Sequence, residues 1–372
     1  MRVALVHDWL TGMRGGERCL EVFCELYPEA DLFTLLHVPG TVSPIIERRR
    51  VSTSFIQRLP DARRRYRSYL PLFPAAIRRF DLRGYDLILS SSHAVAKGVR
   101  VPPGALHVCY CFTPMRYVWD LYDQYFGPPA GVLTRTLMPA VAAALRRWDR
   151  RTAAGVHHFV AISRFVADRI RRAYGRDSEV IYPPVDVARF RVEDSAGDFY
   201  LVVSALTPYK RVDLAVEAAN RLRRRLLIVG TGPEERRLRA LAGPTVEFAG
   251  WRPDAAVAEV YARCRALLFP AIEDFGITPL EAMASGRPVL ALGQGGALET
   301  VVPPGSSEPA TGLFFARQTV DDLADAIRRF EAGVQTFEPK ALRRRAEAFD
   351  RPRFKERFER YLSRRAAEAA PC

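Results

Sequence analysis

The sequence predicts an α/β protein with two doubly wound parallel sheets, and three observations carry this prediction. Apolar stretches of strand length alternate with helical stretches along the 372 residues, which is typical of parallel sheets covered by helices. Glycine-rich or polar turns follow several predicted strands, on the side where such sheets bind ligands. A chain of this length with 48% hydrophobic residues can form two domains, each with its own core.

The domain boundary is predicted at a proline-rich turn, Pro183-Pro184-Val185-Asp186. Each proline fixes its own φ angle and restricts the residue before it, so this segment is stiff. We therefore expect an N-terminal domain over residues 1–186, a mostly polar linker over about 186–197 and a second domain over 198–345. The remaining residues, 346–372, include a predicted basic amphipathic helix.

The N-terminal domain opens with a predicted strand at residues 2–7 and a glycine-rich turn. Gly15 and Gly16 lie in that turn, outside the carboxyl end of the strand, and a helix follows to about residue 26. The turn lacks the G-x-G-x-x-G spacing, so no dinucleotide site is predicted, and a ligand contact and an ordinary turn both remain open. Later strands are predicted at 31–36, near 51, 86–90, 105–111, 156–162 and 179–182, and helices at 133–152 and 164–174.

Polar side chains follow two neighbouring strands of this domain. His93 follows one of them, and Phe112, Thr113 and Arg116 follow the next. Because the carboxyl ends of parallel strands meet at one edge of a sheet, we expect these residues on the ligand-binding edge. A single histidine, such as His93 or His107, is more often structural than ligand-binding, so neither is assigned a role by the sequence.

Residues 57–83 combine arginines with aromatic residues, as in Arg63-Arg64-Arg65-Tyr66-Arg67. A segment that contacts a membrane surface needs cationic groups and a shallow apolar anchor, and this mixture supplies both. The same mixture can serve nucleic acid. A solvated helix face with its aromatic side chains in the core is the third interpretation, and the sequence leaves the choice open.

The formal net charge of +14 is concentrated in the first half of the chain. Residues 1–190 carry 28 Lys and Arg against 17 Asp and Glu, whereas residues 191–372 carry 28 against 25. Nucleic acid, an anionic membrane surface and an arginine-rich composition without any partner are three explanations. No nucleic-acid-binding motif accompanies the charge, so we expect no nucleic acid partner.

Several compositional features favour a cytoplasmic location. The sequence has no run of about 18 apolar residues, and residues 1–6 lack the features of a signal peptide. The six cysteines are scattered, with neither the spacing of a metal site nor that of a disulfide framework, which fits a reducing compartment.

The second domain repeats the pattern of strand, turn and helix. After a strand at 199–204, Lys210 and Arg211 lie at a strand-to-helix junction, where cations and a helix N-terminus can neutralise phosphate. Two solvated cations are the alternative. Trp251 and Arg252 follow another strand, at 246–249, either as a base-stacking pair or as residues of an exposed rim.

Two glutamates separated by seven residues stand out in the second domain, Glu273 and Glu281. A strand at 266–269 precedes them, and a helix is predicted at 279–285 with Thr278 as its N-cap and a glycine at its end. Carboxylates accept hydrogen bonds from sugar hydroxyls, and a helix N-terminus binds phosphate, so the combination predicts a nucleotide-sugar site. A solvated acidic loop with a Thr278–Glu281 capping box is the alternative.

The stretch Glu273-Asp274-Phe275-Gly276-Ile277-Thr278-Pro279-Leu280-Glu281 resembles the E-x7-E signature of family 4 retaining glycosyltransferases. The resemblance extends over nearly the whole chain. Residues 89–123 resemble a bacterial branch of the family that builds O-antigen and exopolysaccharide, in which many members are mannosyltransferases. The resemblance to the family implies the GT-B fold, in which two Rossmann-like domains face each other across a cleft. In this fold the C-terminal helix, within 346–372 here, crosses back onto the N-terminal domain.

The resemblance also implies roles for individual residues. Lys210 and Glu273 are the catalytic candidates, because Lys210 would stabilise the leaving diphosphate and Glu273 would hold a hydroxyl of the donor sugar. Glu281 would hold the ribose hydroxyls. The other candidate donor contacts are Gly15, Gly16, Arg211, Trp251, Arg252, Phe275, Gly276, Ile277 and Thr278. The candidates on the acceptor side or beside the sugar are His93, Phe112 and Arg116.

Two positions depart from the family pattern. The bacterial branch usually has His-Thr-Pro where this chain has Phe112-Thr113-Pro114, and the usual histidine contacts the donor sugar. The family also places an arginine five residues before its diphosphate-binding lysine, and that position is Ala205 here. Arg211 is the nearest substitute, displaced by six residues. These departures favour an alternative function, a catalytically impaired GT-B protein that binds nucleotide or glycan without turnover.

The resemblance implies a retaining hexosyltransferase. We expect transfer of a hexose, with mannose from GDP-mannose favoured, to a lipid-linked or nascent polysaccharide acceptor in O-antigen or exopolysaccharide biosynthesis. The sequence contains no D-x-D triplet, so we expect metal-independent chemistry without a cofactor. A peripheral position on the inner face of the cell membrane, through residues 57–83, is a further hypothesis.

Overall fold

Parallel strands form two sheets in the computed structural model, which describes residues 1–127, 131–193, 195–333 and 335–369. In chain order the strands are β1 Val3–His7, β2 Asp31–Thr34, β3 Val51–Thr53, β4 Leu87–Ser92, β5 Leu106–Cys111, β6 His158–Ala161, β7 Ser178–Val180, β8 Phe199–Val203, β9 Arg225–Val229, β10 Val246–Gly250, β11 Ala266–Phe269, β12 Val289–Leu292 and β13 Gly312–Phe315.

Helices connect these strands. In chain order they are α1 Gly15–Leu26, α2 Pro44–Glu47, α3 Ala62–Arg65, α4 Phe73–Ile77, α5 Arg116–Trp119, α6 Tyr122–Phe126, α7 Val132–Ala153, α8 Arg164–Tyr174, α9 Val212–Leu222, α10 Glu235–Leu241, α11 Asp254–Arg263, α12 Ile277–Ala284, α13 Ala297–Thr300, α14 Val320–Glu331, α15 Pro339–Glu347 and α16 Arg351–Ala369. Short 3₁₀ segments cover Phe55–Arg58, Tyr66–Leu72, Ala96–Gly98, Val187–Arg189 and Pro208–Lys210.

The first sheet has the strand order β3-β2-β1-β4-β5-β6-β7. The chain moves outward from β1 to β3 and then returns to β4 on the other side of β1, so the winding reverses between β1 and β4. These two strands are parallel, with Val3 opposite Leu87 and His7 opposite Ser91. In a doubly wound sheet the loops at the carboxyl ends of two such strands diverge and leave a crevice for a ligand.

The second sheet repeats this topology with the order β10-β9-β8-β11-β12-β13. Its winding reverses between β8 and β11, which are parallel neighbours with Leu201 opposite Leu267. Every residue of β11 and β12 is buried, because helices cover both faces of a parallel sheet. The predicted fold class, two doubly wound Rossmann-like domains, is therefore confirmed.

The chain forms two compact units and passes between them at residues 184–185 and 353–354. Unit 1 contains residues 1–184 and the chain from Phe354 onward, and unit 2 contains Val185–Arg353. Within unit 1, α16 packs on α1, with the rings of Phe354 and Phe358 centred 5.7 and 4.8 Å from that of Phe23. The predicted C-terminal segment, 346–372, is divided differently, because residues 346–353 group with unit 2.

The start of α12 differs from the prediction, in which Thr278 was the N-cap of a helix over 279–285. The helix begins at Ile277, and Gly276 is its N-cap with a φ of +91°. Pro279 fits within the first turn, because the first four N–H groups of a helix have no intrahelical acceptor to lose. The predicted end is confirmed, since Gly286 follows the helix with a φ of +71°.

Two compositional expectations can be compared with the structure. None of the helices in the described ranges has both the length and the apolar character that a membrane span needs. The cysteines that the structure describes are free and buried, namely Cys19, Cys24, Cys109, Cys111 and Cys264. Cys372 lies outside the described residues.

Candidate active site

Lys210 and Glu273 meet at the carboxyl edge of the second sheet. Lys210 ends the 3₁₀ segment after β8, and Glu273 lies in the loop after β11, so the two residues belong to the two strands between which the winding reverses. Nζ of Lys210 forms an ion pair with Oε1 of Glu273, and both side chains are less than one-fifth exposed. The crevice of unit 2 thus contains a cation and a carboxylate within reach of one ligand.

The loop that carries Glu273 is held in place by a second glycine-rich loop. The backbone N–H of Gly296 donates to the carbonyl oxygen of Glu273 at 2.8 Å. A Cβ atom on Gly295 would lie 2.6 Å from that carbonyl oxygen, and one on Gly296 would lie 2.3 Å from Cα of Phe275. The two loops therefore pack backbone to backbone, which only glycine permits at these positions.

The first turn of α12 directs free backbone N–H groups toward this crevice. Ile277 and Thr278 occupy its first two positions, where N–H groups lack intrahelical acceptors. Phe275 is buried and its ring lies 5.7 Å from that of Phe349, which fixes the approach to the helix. At the opposite end, Arg343 donates to the carbonyl oxygen of Ala284 at 2.7 Å. A helix anchored at both ends offers a preorganised anion-binding N-terminus.

Glu281 lies in the second turn of α12, and a buried tyrosine holds its carboxylate. The hydroxyl of Tyr261 donates to Oε2 of Glu281 at 2.9 Å, and Tyr261 is completely buried. Burial raises the pKa of Tyr261 well above its ordinary value, and the nearby carboxylate raises it further. The tyrosine therefore remains a donor at neutral pH and holds the Glu281 carboxylate in one orientation.

The surroundings of Arg211 differ from those expected of a side chain that binds the donor diphosphate. It adopts a left-handed φ of +52° at the N-cap of α9, and its guanidinium donates to Asp213 at 3.2 Å. The guanidinium charge is thus partly neutralised by a residue two positions along the chain. The structure places Ala205, the position of the family arginine, on the surface of the same loop.

Trp251 and Arg252 follow β10 at the carboxyl edge of the second sheet. The side chain of Trp251 is 72% exposed, and Nη1 of Arg252 lies 3.5 Å from the carbonyl oxygen of Trp251. No other hydrogen bond of Arg252 is found within the described residues. A large exposed indole beside a guanidinium that forms no ion pair within the described residues is compatible with base stacking and equally with an exposed rim.

Asp8 organises the corresponding crevice of unit 1. It is completely buried, and its carboxylate accepts four backbone N–H groups, those of residues 93–96, at 2.7–2.9 Å. Asp8 follows β1 and its donors follow β4, so this contact ties together the two loops at the reversal of winding in the first sheet. Nδ1 of His93 also lies 3.1 Å from the Asp8 carboxylate.

His7 is a candidate functional residue that sequence reasoning missed. Its Nδ1 lies 2.7 Å from the hydroxyl of Ser91, whereas its Nε2 is buried and has no hydrogen-bond partner within the described residues. Burial lowers the pKa of His7 to about 4, so its ring is neutral at pH 7. The polar pair His7-Asp8, at the end of an apolar strand, was the available signal.

Gly16 and Phe112 lie beside His7. A Cβ atom on Gly16 would lie 3.4 Å from the Phe112 ring and 3.6 Å from the His7 ring. The Phe112 ring is centred 6.3 Å from both His7 and His93. Phe112, Gly16 and His93 are therefore brought together as predicted from their strand-end positions, with His7 at the centre of the group.

Gly15, Arg116 and His107 are the other residues of unit 1 that the sequence analysis considered, and Glu17 lies beside Gly15 in the first turn of α1. Gly15 and Arg116 begin helices α1 and α5, which follow β1 and β5. Glu17 is buried in the first turn of α1, accepts the backbone N–H of Arg14 at 3.1 Å, and has its pKa raised to about 7 by burial. His107 lies inside β5 with Nε2 2.9 Å from the Ser90 hydroxyl, so it supports the sheet.

The aromatic residues of the 57–83 region belong mostly to the core of unit 1. Tyr66, Leu70 and Phe73 are buried in the cluster that also contains Trp9. Leu72, at 42%, is an exposed large apolar residue of this region. The arginines at positions 63, 64, 65 and 67 are exposed. The core interpretation of the aromatic residues therefore holds, and an exposed basic surface remains.

Metal ligation has no visible basis in the residues that the structure describes. No three His, Cys, Asp or Glu side chains among them are grouped closely enough to hold an ion. The polar groups of both crevices instead suit hydroxyl groups and phosphate, since they consist of carboxylates, a lysine, a neutral imidazole and helix N–H groups.

The known sequences that this chain resembles are glycosyltransferases. Residues 13–189 match the family model described as Glycosyltransferase Family 4, and residues 198–332 match the one described as Glycosyl transferases group 1. The GDP-mannose-dependent alpha-(1-6)-phosphatidylinositol monomannoside mannosyltransferase of Mycobacterium tuberculosis is 33% identical in an alignment of 224 positions, which covers 52% of this chain and 56% of that protein. The chain thus spans about half the length of the curated relative that it matches.

Two solved structures match this chain over nearly its whole length. Sucrose-phosphate synthase from Thermosynechococcus elongatus matches with a TM-score of 0.71 and 19% identity, over 100% of both chains. Anabaena Alr3699/HepE in complex with UDP-glucose matches with a TM-score of 0.70 and 18% identity, over 98% of this chain and 100% of that one. At these identities the likeness concerns the fold.

Proposed function

This chain belongs to the family 4 glycosyltransferases, with the GT-B fold, and we propose that it transfers a hexose from a nucleoside diphosphate donor with retention of configuration. The observation that carries the proposal is the contact of Lys210 with Glu273 in the crevice of unit 2. It supplies a cation for the leaving diphosphate and a carboxylate for the sugar, next to the N-terminus of α12.

The proposed division of labour follows from the geometry of each group. The donor diphosphate would bind the Lys210 ammonium and the N–H groups of Ile277 and Thr278, with Gly276 allowing its close approach. Glu281, held in place by Tyr261, would accept the ribose hydroxyls with its carboxylate. Binding of the diphosphate would separate Lys210 from Glu273 and free the carboxylate to accept a sugar hydroxyl.

Mannose from GDP-mannose is the donor that we favour, because the mycobacterial relative bears that activity in its name. We propose a lipid-linked or nascent polysaccharide acceptor in O-antigen or exopolysaccharide biosynthesis, and chemistry without a metal. The diphosphate charge would then be balanced by Lys210 and helix N–H groups alone. The crevice of unit 1, with His7 and His93, is the proposed acceptor side, and Gly16 beside it stays a proposed donor contact.

Contact of a cytoplasmic protein with the anionic inner face of the cell membrane is a further part of the proposal. The exposed arginines at 63, 64, 65 and 67 support an electrostatic contact, whereas the buried aromatic residues of this region argue against deep insertion. A variant with glutamate at all four positions should sediment with anionic vesicles less than the parent does. Equal sedimentation would rule out this surface.

A melting-temperature panel of nucleotide sugars and free nucleoside diphosphates tests the donor site. A ligand that binds only the folded state raises the melting temperature by mass action. One donor should stabilise the parent and the control Glu247→Ala, which changes an exposed glutamate of the same unit, but not Glu281→Ala. If no ligand shifts the parent, the assignment of the two carboxylates is wrong.

The alternative function, nucleotide binding without turnover, is favoured by Phe112 and Ala205. It predicts that a free diphosphate stabilises the protein as strongly as every sugar donor does, and that no donor is consumed. Consumption of a sugar donor would exclude the alternative, because the alternative binds its ligand without turnover.

A further inference from the structure

Unit 1 has a second polar region, at the edge of its sheet opposite to the crevice around Asp8. Two cavities of about 860 and about 480 Å³ open there, and Arg78 and Arg100 line both. Their walls include the loops that precede β4, β5 and β6, whereas Asp8 and His93 lie in loops that follow strands. A six-residue strand spans about 20 Å, so this distance separates the two edges.

The cavities are strongly basic. The guanidinium groups that line them are those of Arg78, Arg79, Arg83, Arg100, Arg147 and Arg151. Asp81 is the one carboxylate among the described lining residues, and it accepts hydrogen bonds from Arg83 at 2.8 Å. Arginines from separate segments of the chain therefore line two neighbouring cavities that share Arg78 and Arg100, and the single carboxylate among the described lining residues is already paired.

Four of these arginines lack a partner within the part of the chain that the structure describes. Arg78 and Arg100 line both cavities, and Arg147 and Arg151 lie one turn apart on α7. No ion pair or side-chain hydrogen bond of the four is found among the described residues. Like charges held close together repel, and a bound anion would relieve that repulsion.

The helix that carries Arg147 and Arg151 is firmly anchored. Nζ of the buried Lys97 lies 2.7 Å from Oδ1 of Asp149 and donates to the Asp149 carbonyl oxygen at 2.8 Å. A Cβ atom on Gly98 would lie 2.5 Å from the Trp148 ring, so the backbone and the indole are in direct contact. The inner face of α7 is thereby fixed. Arg147 and Arg151 are therefore positioned at the cavity before any ligand binds.

We propose that this arginine cluster is a second anion-binding site, for a phosphate-bearing ligand with more than one negative charge. All six cations are arginines, whose planar guanidinium groups bind phosphate through two parallel hydrogen bonds. The larger cavity also has an apolar wall that includes Phe80, Leu82 and Val101. Two sources supply this chemistry, a soluble polyphosphate-type anion and the phosphate headgroups of an anionic lipid surface.

Calorimetric titration of the full chain with inorganic tripolyphosphate tests the site. The pocket variant R100Q/R147Q/R151Q changes exposed side chains only, and the control R48Q/R135Q/R172Q removes the same charge from exposed positions of unit 1 outside both cavities and outside residues 57–83. The variant R78Q/R100Q leaves α7 untouched and serves as a second pocket variant. All titrations are made on a Lys210→Gln background, so that the proposed donor site does not contribute.

Both pocket variants should bind tripolyphosphate at least tenfold more weakly than the control does. Sedimentation with vesicles of 70% phosphatidylcholine and 30% phosphatidylglycerol separates the sources. If the pocket variants also lose vesicle binding, the ligand is a lipid headgroup, and if they retain it, the ligand is soluble. Affinities of the pocket variants within twofold of the control, for both probes, would overturn the proposal whether or not the protein transfers sugar.

Discussion

The ammonium group of Lys210 forms an ion pair with the carboxylate of Glu273, although the two residues lie 63 positions apart in the sequence and follow different strands. The pair occupies the reversal of winding in the second sheet, between β8 and β11. A cation already paired in the free protein is held in place and partly dehydrated before a substrate arrives, which reduces the reorganisation needed during the reaction.

Lys210 should therefore matter more than its neighbour Arg211. We expect Lys210→Gln to lower kcat/KM by about 10²–10³-fold, the usual cost of removing one group that stabilises developing charge. Arg211→Gln should cost less than tenfold, since Asp213 already holds that guanidinium. Steady-state donor consumption measures both. Equal losses would show that Arg211 does replace the family arginine that is Ala205 here.

Gly295 should be essential for donor binding because there is no room for a side chain at this position. Gly295→Ala and Gly305→Ala both place alanine at a positive φ, +67° and +84°, so their backbone strain is similar. A Cβ atom at Gly295 would lie 2.6 Å from the Glu273 carbonyl oxygen, whereas nothing lies within 4 Å at Gly305. We expect Gly295→Ala to weaken donor binding more than tenfold and Gly305→Ala to leave it unchanged, as measured by melting-temperature shifts with donor. Comparable donor binding by the two variants would contradict the loop contact.

The sequence predicted the fold class and the strand-end position of most candidate residues. Alternating elements and glycine-rich turns are local signals, and they place Lys210, Glu273 and Phe112 at carboxyl edges without knowledge of the strand order. The start of α12 was predicted two residues late, because Thr278 is a good N-cap by composition whereas Gly276 makes the turn by its φ. The roles of these residues stay predictions.

The contacts that the sequence could not indicate join distant segments. Asp8 accepts the N–H groups of residues 93–96, and His7 pairs with Ser91, each across more than 80 positions. Which strand lies beside β1 decides these contacts, and no local pattern specifies it. The pairing of Arg211 with Asp213 is local, but it depends on a left-handed residue that is uncommon outside glycine.

Glu17 should oppose the usual loss of stability in acid. Its pKa rises from 4.5 to about 7 on folding, so the native state binds more protons between these values, and stability falls as pH rises through this window. Glu17→Gln keeps an acceptor for the Arg14 N–H and removes this effect. Relative to the parent, its free energy of unfolding should increase by about 3 kcal/mol between pH 4 and pH 8.

Denaturant titrations across this range measure the difference, and the exposed Glu29→Gln is the control. His7 acts in the opposite sense, since its pKa falls from 6.5 to about 4 and stability rises with pH between those values. Because His7 is present in both proteins, its contribution cancels in the comparison. A pH-independent difference between Glu17→Gln and the parent would show that Glu17 is not buried in its neutral form.

Tyr261 should position Glu281 without contacting the donor. Tyr261→Phe removes the hydrogen bond of 2.9 Å while the buried ring stays in place. We expect a rise of about three- to tenfold in KM for the donor, which corresponds to the loss of one hydrogen bond worth ~1 kcal/mol, with kcat nearly unchanged. Glu281→Ala should raise KM further. A fall in kcat at constant KM would instead place the tyrosine in the chemical step.

His7 should contribute through its unpartnered Nε2. An asparagine at this position reproduces the Nδ1 contact with Ser91 but lacks an equivalent of Nε2, whereas a glutamine places its amide near the Nε2 position. If a substrate hydroxyl fills that position, His7→Asn should lower kcat/KM at least tenfold and His7→Gln should retain more activity, with both measured beside their melting temperatures. The neutral ring, whose pKa is about 4, implies that the histidine contribution is constant from pH 6 to pH 8. Activities of the two variants that simply follow their melting temperatures would assign His7 to the stability of the β1–β4 contact, because a structural role does not distinguish which nitrogen is replaced.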